Sequence, residues 1–249
     1  MKPKIALQLW SIQEDCQKDF EAALRQVKEF GYDGVEFAGY YGKTADDIRA
    51  MLSDLDLDVA GSHVPYESLK NQLEATLDFE EAIGNRRIIV PYASFSTFAE
   101  WQEFMTNMQE IAKAVTNRGM KFYYHNHAHE FTEVEGTDLL DLLTHEIDQL
   151  LLEVDLYWLA HAGQDVRAWV EAHKSSIGLF HMKDKQQEPE ESTELGSGVL
   201  PLKEYTQLAK KLQLPWLIVE QEAFQKYEPL EAAKINVKQL RAIIEEVYE

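Results

Sequence analysis

Short apolar runs return along this chain eight times, roughly every 30 residues, and helical patterns fill the stretches between them. The runs fall at residues 5–10, 34–37, 57–62, 87–91, 121–125, 150–155, 177–181 and 215–220. Several, including IALQLW, LLLEVD, IGLFHM and WLIVEQ, are almost continuously apolar, as parallel strands covered on both faces must be. Between them, residues 19–30 set Phe20, Leu24 and Val27 at helical spacing and stop at Gly31. Residues 44–55 open on Thr-Ala-Asp-Asp, where a hydroxyl caps and acids suit the positive helix end. Residues 98–117 and 228–249 read as longer helices, and 201–212 starts on a proline suited to a first turn. TDLLDLLTHEID, between the fifth and sixth runs, is the weakest helical segment.

Eight strand–helix units in 249 residues match the size of an α/β (β/α)8 TIM barrel, whereas doubly wound sheets usually stop at fewer strands. No linker or low-complexity block divides the chain, so one domain over residues 1–249 is expected, with 183–197 as a loop. The charge balance, 24 basic against 44 acidic residues for a net −20, disfavours nucleic acid and anionic membranes. The lone Cys16 excludes a disulfide scaffold or a cysteine-built zinc cluster. The start MKPKIALQLW lacks the long apolar stretch of a secretion signal, and a cytoplasmic protein is expected. Nothing in the sequence excludes a homo-oligomer.

Barrel chemistry sits where strands end. The polar residues closing the apolar runs are Glu36, His63, His125, Asp155, His181 and Glu220, with His127 and His129 just beyond. Carboxylates after LLLEV and WLIV need a cation or donors if buried, and the His/carboxylate set suits a divalent metal such as Mn, Zn, Co or Mg. His125 and His127 alternate along an extended segment, which predicts opposite directions for their side chains. His63 admits a structural or a functional reading, and Glu153 either lines the barrel or pairs with a lysine. Trp10 and Trp158 are the aromatics expected to wall the apolar face of a ligand.

DGVEFAGYYG, SHVPY, YYHNHAHEF, LLEVDLYWLAHAG, FHMKD, ELGSGVL and IVEQE together resemble the sugar phosphate isomerase/epimerase family, of the xylose-isomerase-like TIM barrel superfamily. The resemblance implies one divalent metal, its ligands matching Asp155, His181 and Glu220. The family's strand-five glutamate falls on His125, with Glu130 the nearby carboxylate, and its Asp-x-x-His second contact becomes Trp158. Glu220 is then the expected base, Glu130 or His125 a partner in proton transfer, and Lys183 a partner for a substrate oxyanion. Glu36, His63, His127, Trp10 and Trp158 are expected to meet substrate, with the amides of Gly196 and Gly198 cradling its oxygens or a phosphate.

The implied activity is a metal-dependent isomerisation or epimerisation of a ketose or related sugar, phosphorylated or not, through an enediolate. The competing reading is a lyase of the inosose-dehydratase or keto-glycoside-cleaving type using the same enolisation. A non-catalytic sugar-binding barrel is a further alternative. Nucleic-acid processing of the endonuclease IV type fits the charge poorly.

Overall fold

The computed structural model describes residues 2–132 and 138–249. Eight parallel strands close into a barrel. They are β1 (Lys4–Gln8), β2 (Gly34–Phe37), β3 (Asp58–His63), β4 (Arg87–Val90), β5 (Lys121–His125), β6 (Leu150–Asp155), β7 (Ile177–Met182) and β8 (Trp216–Val219). Each pairs with its neighbour in sequence, and β8 closes on β1 with Trp216 opposite Lys4. The expected (β/α)8 architecture is present. The largest departure is at the first strand, where the Gln8 side-chain oxygen accepts from Trp10 N at 3.0 Å and turns Leu9–Ile12 into a 3-10 helix.

Helices α1 (Gln13–Lys18), α2 (Phe20–Phe30), α3 (Ala45–Leu55), α4 (Tyr66–Ala82) and α5 (Phe98–Asn117) cover the first half. The second half carries α6 (Leu139–Glu146), α7 (Leu156–His161), α8 (Val166–His173), α9 (Leu202–Leu212) and α10 (Pro229–Tyr248). Thr44 and Asp47 form a capping box on α3, and Gly31 ends α2 with φ 101°, a left-handed conformation that glycine adopts without strain. The weak segment TDLLDLLTHEID does hold helix α6, although its Thr137 lies outside the described residues. The expected loop at 183–197 contains a small antiparallel ladder, Asp184–Lys185 with Ser192–Thr193. Among the described residues no helix is long and apolar enough to cross a membrane.

Strand alternation explains where the chemistry sits. One apolar cluster, Ala6, Ala60, Ile89, Tyr123, Leu179, Trp216 and Ile218, is separate from the large core between strands and helices and plugs the barrel. Stepping two residues from that plug along β1, β5, β7 and β8 reaches Gln8, His125, His181 and Glu220, all buried. The inward stripe thus changes from apolar to polar and charged at the C-terminal mouth.

Candidate active site

Asp155 ends β6 and caps α7, its Oδ1 accepting from Tyr157 N (2.9 Å) and Trp158 N (3.0 Å). That leaves Oδ2 pointing at His125 Nε2, 3.5 Å away. The His125 Nδ1 lies 3.3 Å from the Pro91 carbonyl, an oxygen that only accepts, so Nδ1 carries the proton. In the neutral ring, a lone pair on Nε2 therefore faces a carboxylate oxygen, and neither atom has a hydrogen-bond partner despite full burial. Burial, then the charge of His181, lowers His125 and favours that neutral ring. Two buried lone pairs aimed at each other are satisfied by a cation between them. His181 Nδ1 and Glu220 Oε2 complete the group, all four donor atoms lying within 4.8 Å of one another. This two-nitrogen, two-oxygen set fits a divalent metal. His125, Asp155, His181 and Glu220 are the residues that would hold it.

A second cation is built into the chain. Lys183 is buried, with Nζ 2.7 Å from Glu220, 2.9 Å from Asp155 and 3.0 Å from Glu222. The Glu222 contact is a directed hydrogen bond, whereas Asp155 Oδ2 is close enough for charge attraction but off the bonding direction. Burial opposes charge on all these groups. Lys183 and then His181 nevertheless hold Glu220 well below the usual carboxylate range, and Lys183 first among the charges holds Asp155 at about 2. Glu222 goes the other way: burial raises it beyond what Lys183 offsets, with Glu220 and Asp155 adding to the rise.

Beneath lies a layer made by Glu36, His63, Glu153 and His181. His181 Nε2 meets Glu36 at 2.8 Å and Glu153 at 3.3 Å while its Nδ1 meets Glu220 at 2.9 Å, so this ring joins the two layers. His63 Nε2 is 2.8 Å from Glu153, and Gln8 donates to Glu36 at 2.6 Å. Gly61 leaves the space that Glu36 needs, since a Cβ there would stand 3.2 Å from Glu36 Oε1. Burial and then Glu153 push Glu36 up to about 7. Burial works against charge on His63 and His181, but the carboxylates around them outweigh it and raise both.

These directions set a pH profile. Glu36, His63 and His181 are raised in the fold, so their stabilisation is full at low pH and is lost as pH rises, through about 7 for Glu36. His127 is lowered from 6.5 to about 3, by burial first and then by His125, so its share is full above 6.5 and lost in acid. Asp155 and Glu220, both lowered, lose theirs in acid as well. In chelator the melting temperature should peak near neutral pH and fall on both sides. Thermal melts from about pH 4 to about pH 9 check this, and a rise continuing to the alkaline end would contradict it.

The sequence profile described as "Xylose isomerase-like TIM barrel" matches residues 24–243. The chain belongs to that family. A sugar phosphate isomerase/epimerase from Parabacteroides distasonis ATCC 8503 superposes on this xylose isomerase-like barrel with a TM-score of 0.85, at 19% identity over 98% of this chain and 96% of that one. An L-ribulose 3-epimerase gives a TM-score of 0.74 at 13% identity, covering 99% and 96%. An inosose dehydratase from Clostridium beijerinckii (strain ATCC 51743 / NCIMB 8052) is 23% identical over 193 residues, 68% of this chain. The match spans 64% of that relative's length.

The barrel brings His63, His125, His127, Asp155, His181, Lys183 and Glu220 to one mouth, but several expected roles need correction. His125 and His127 do not point apart: their rings are 4.9 Å apart and both face the cavity, because the strand, and its alternation, ends at His125. Glu130 is no free base. Its oxygens accept from Tyr124 OH and His127 N, both at 2.8 Å, so it positions the His127 turn. Glu36 is fully buried below the cavity and orients histidines instead of meeting substrate. Lys183 faces carboxylates, and Trp158 lies over its ammonium and against the His127 ring.

The Gly196 and Gly198 amides are not open to a substrate anion, since both donate to Asp184 Oδ2, at 2.9 and 3.0 Å. Leu200 N (3.1 Å) and Lys185 N (2.8 Å) donate to its other oxygen. The chain supplies its own anion there. Asp184→Ala strands four backbone donors and should cost about 3 kcal/mol or more, measurable by denaturant unfolding.

Residues the sequence reading passed over complete the cavity of about 660 Å³ above the cluster. One wall is the inner stripe of α4, with Ser68, Gln72, Thr76 and Phe79 at helical spacing. A break in helical backbone at Gln72 (φ −139°, ψ 37°) interrupts that pattern. Glu222 lines the cavity beside Glu220.

Proposed function

We propose that this barrel is a metal-dependent isomerase or epimerase that moves a proton next to the carbonyl of a ketose or related sugar. The observation that carries this reading is the pair Glu220 and Glu222 at the cavity base, sharing Lys183 beside a metal-type donor set. Bound at His125, Asp155, His181 and Glu220, a divalent ion would supply Lewis-acid polarisation of a carbonyl. The chain's own groups do the rest. Glu220, held ionised by Lys183 and His181, is the proton acceptor, and Glu222, raised by burial and hydrogen-bonded to Lys183, is a second carboxyl group beside it. The His127 ring, held neutral, offers a hydrogen bond to a sugar oxygen from the cavity wall. Trp10 and Tyr92 offer ring faces to the substrate's carbon side.

A lyase using the same proton abstraction is the second reading. The inosose dehydratases among the relatives favour it, and Glu222 is placed to protonate a departing oxygen. Both readings predict metal-dependent incorporation of deuterium from D₂O at the carbon beside a ketone, across a panel of ketoses and inososes. Absence of exchange throughout the panel, with Mn, Co, Zn and Mg each supplied, would overturn them together.

A further inference from the structure

The cavity is larger and more apolar than a single sugar ring requires. Its volume of about 660 Å³ falls in the range that encloses a drug-sized ligand. His63, His125, His127, Glu220 and Glu222 line it at or just past the ends of β3, β5 and β8, and the one carboxylate on the α4 side, Glu80, is already hydrogen-bonded to Tyr40 and Asn85. Its lining also includes Ala38, Tyr40, Val64 and Pro65, and Ala75 and Phe79 on the face of α4. The α4 side of the lobe carries Ser68, Gln72, Ala75, Thr76 and Phe79 and no leucine, so room is left where a core helix would place leucines. Two of the three large apolar side chains standing exposed among the described residues, Trp10 (47%) and Tyr92 (52%), border this same cavity. Concentration of exposed apolar surface at one cleft marks a binding surface.

Charge excludes the most obvious larger sugar. The cavity lining contains no lysine or arginine among the described residues but three glutamates, Glu80, Glu220 and Glu222. A phosphate at the far end of a substrate would meet no cation there, and the Gly196–Gly198 amides are already taken by Asp184.

We infer that the substrate is a glycoside whose sugar ring carries a ketone and whose apolar aglycone, aromatic or alkyl, occupies the lobe against α4 while the keto-sugar end meets the ionisable groups at the strand ends. This names a substrate class for the sugar-directed reading above and rests on it. Burying a phenyl-sized group in such a lobe is worth tenfold or more in affinity.

The test is binding, which needs no turnover. Mn-loaded protein is titrated calorimetrically with matched phenyl and methyl glycosides of glucose, galactose and xylose, alongside the 6-phosphates of glucose and galactose. The expected result is a phenyl preference of at least tenfold in one pair or more, with the phosphates weaker than the phenyl glycosides. Ala75→Trp, which fills the lobe from an exposed helix position, should erase that preference and leave methyl glycoside affinity within about twofold. The inference is overturned if no pair reaches tenfold, or if a sugar phosphate binds more tightly than every phenyl glycoside. Deuterium exchange into ketoses without a phenyl preference would sink the lobe alone. A phenyl preference without exchange would sink the proton-transfer reading and leave the lobe standing.

Discussion

Lys183→Met should lower the stability of the metal-free chain by about 3–5 kcal/mol, because it leaves Asp155, Glu220 and Glu222 together at the barrel mouth without their common cation. For a chain of this size that corresponds to a melting temperature lower by about 10 °C. The deficit should be larger at pH 8 than at pH 5, since carboxylates without a counter-charge take up protons, and that relief fades as pH rises. Divalent metal should restore much of the loss. At a concentration of about 100 times Kd, binding to the native state alone contributes about 2.7 kcal/mol. Manganese should therefore stabilise the variant more than it stabilises the parent chain, in which the ammonium already holds two of the same oxygens. Calorimetric scans of both proteins, with chelator and with manganese, decide the matter. Equal metal-induced shifts would mean that Lys183 and the ion do not share ligands.

The barrel was legible because its signal is repeated: eight apolar runs, each bounded, leave few alternatives. The strand-end rule then found Asp155, His181 and Glu220, whose polar groups interrupt otherwise apolar sequence. It failed where position along a strand was not enough. Glu153 and Glu36 lie inside the barrel like the other candidates, yet they sit in a deeper layer, and layer depth follows from strand register, which no local pattern encodes. The Gly-Ser-Gly turn looked like an anion cradle and is one, but its anion is Asp184, next to Lys183 in sequence and distant from the turn until the chain folds. The α4 wall was hidden because its inward stripe carries Ser68, Gln72, Ala75 and Thr76 in place of large apolar residues, the very feature that opens the lobe. An exposed-looking helix face is indistinguishable in sequence from one that faces a cavity.

Glu220→Gln should reduce deuterium exchange by about 10²-fold or more while metal and substrate still bind. The substitution keeps the shape of the side chain and one oxygen, which can still face a metal ion and Lys183, now 2.7 Å from Glu220 Oε2. It removes the ability to take a proton. Glu222→Gln is the informative comparison, because it removes the second carboxyl group at the cavity base, whose hold on a proton burial strengthens, and leaves Glu220 in place. Exchange should fall by less than about tenfold in that variant, whereas elimination of a leaving group, which needs an acid, should fall further than exchange does. The two variants together thus separate base from acid, and their ratio separates isomerase from lyase. Equal losses of exchange in both would mean that the two carboxylates act as one proton-sharing unit. Wild-type exchange in Glu220→Gln with metal content intact would move the base to Glu222, which also faces the cavity and also contacts Lys183.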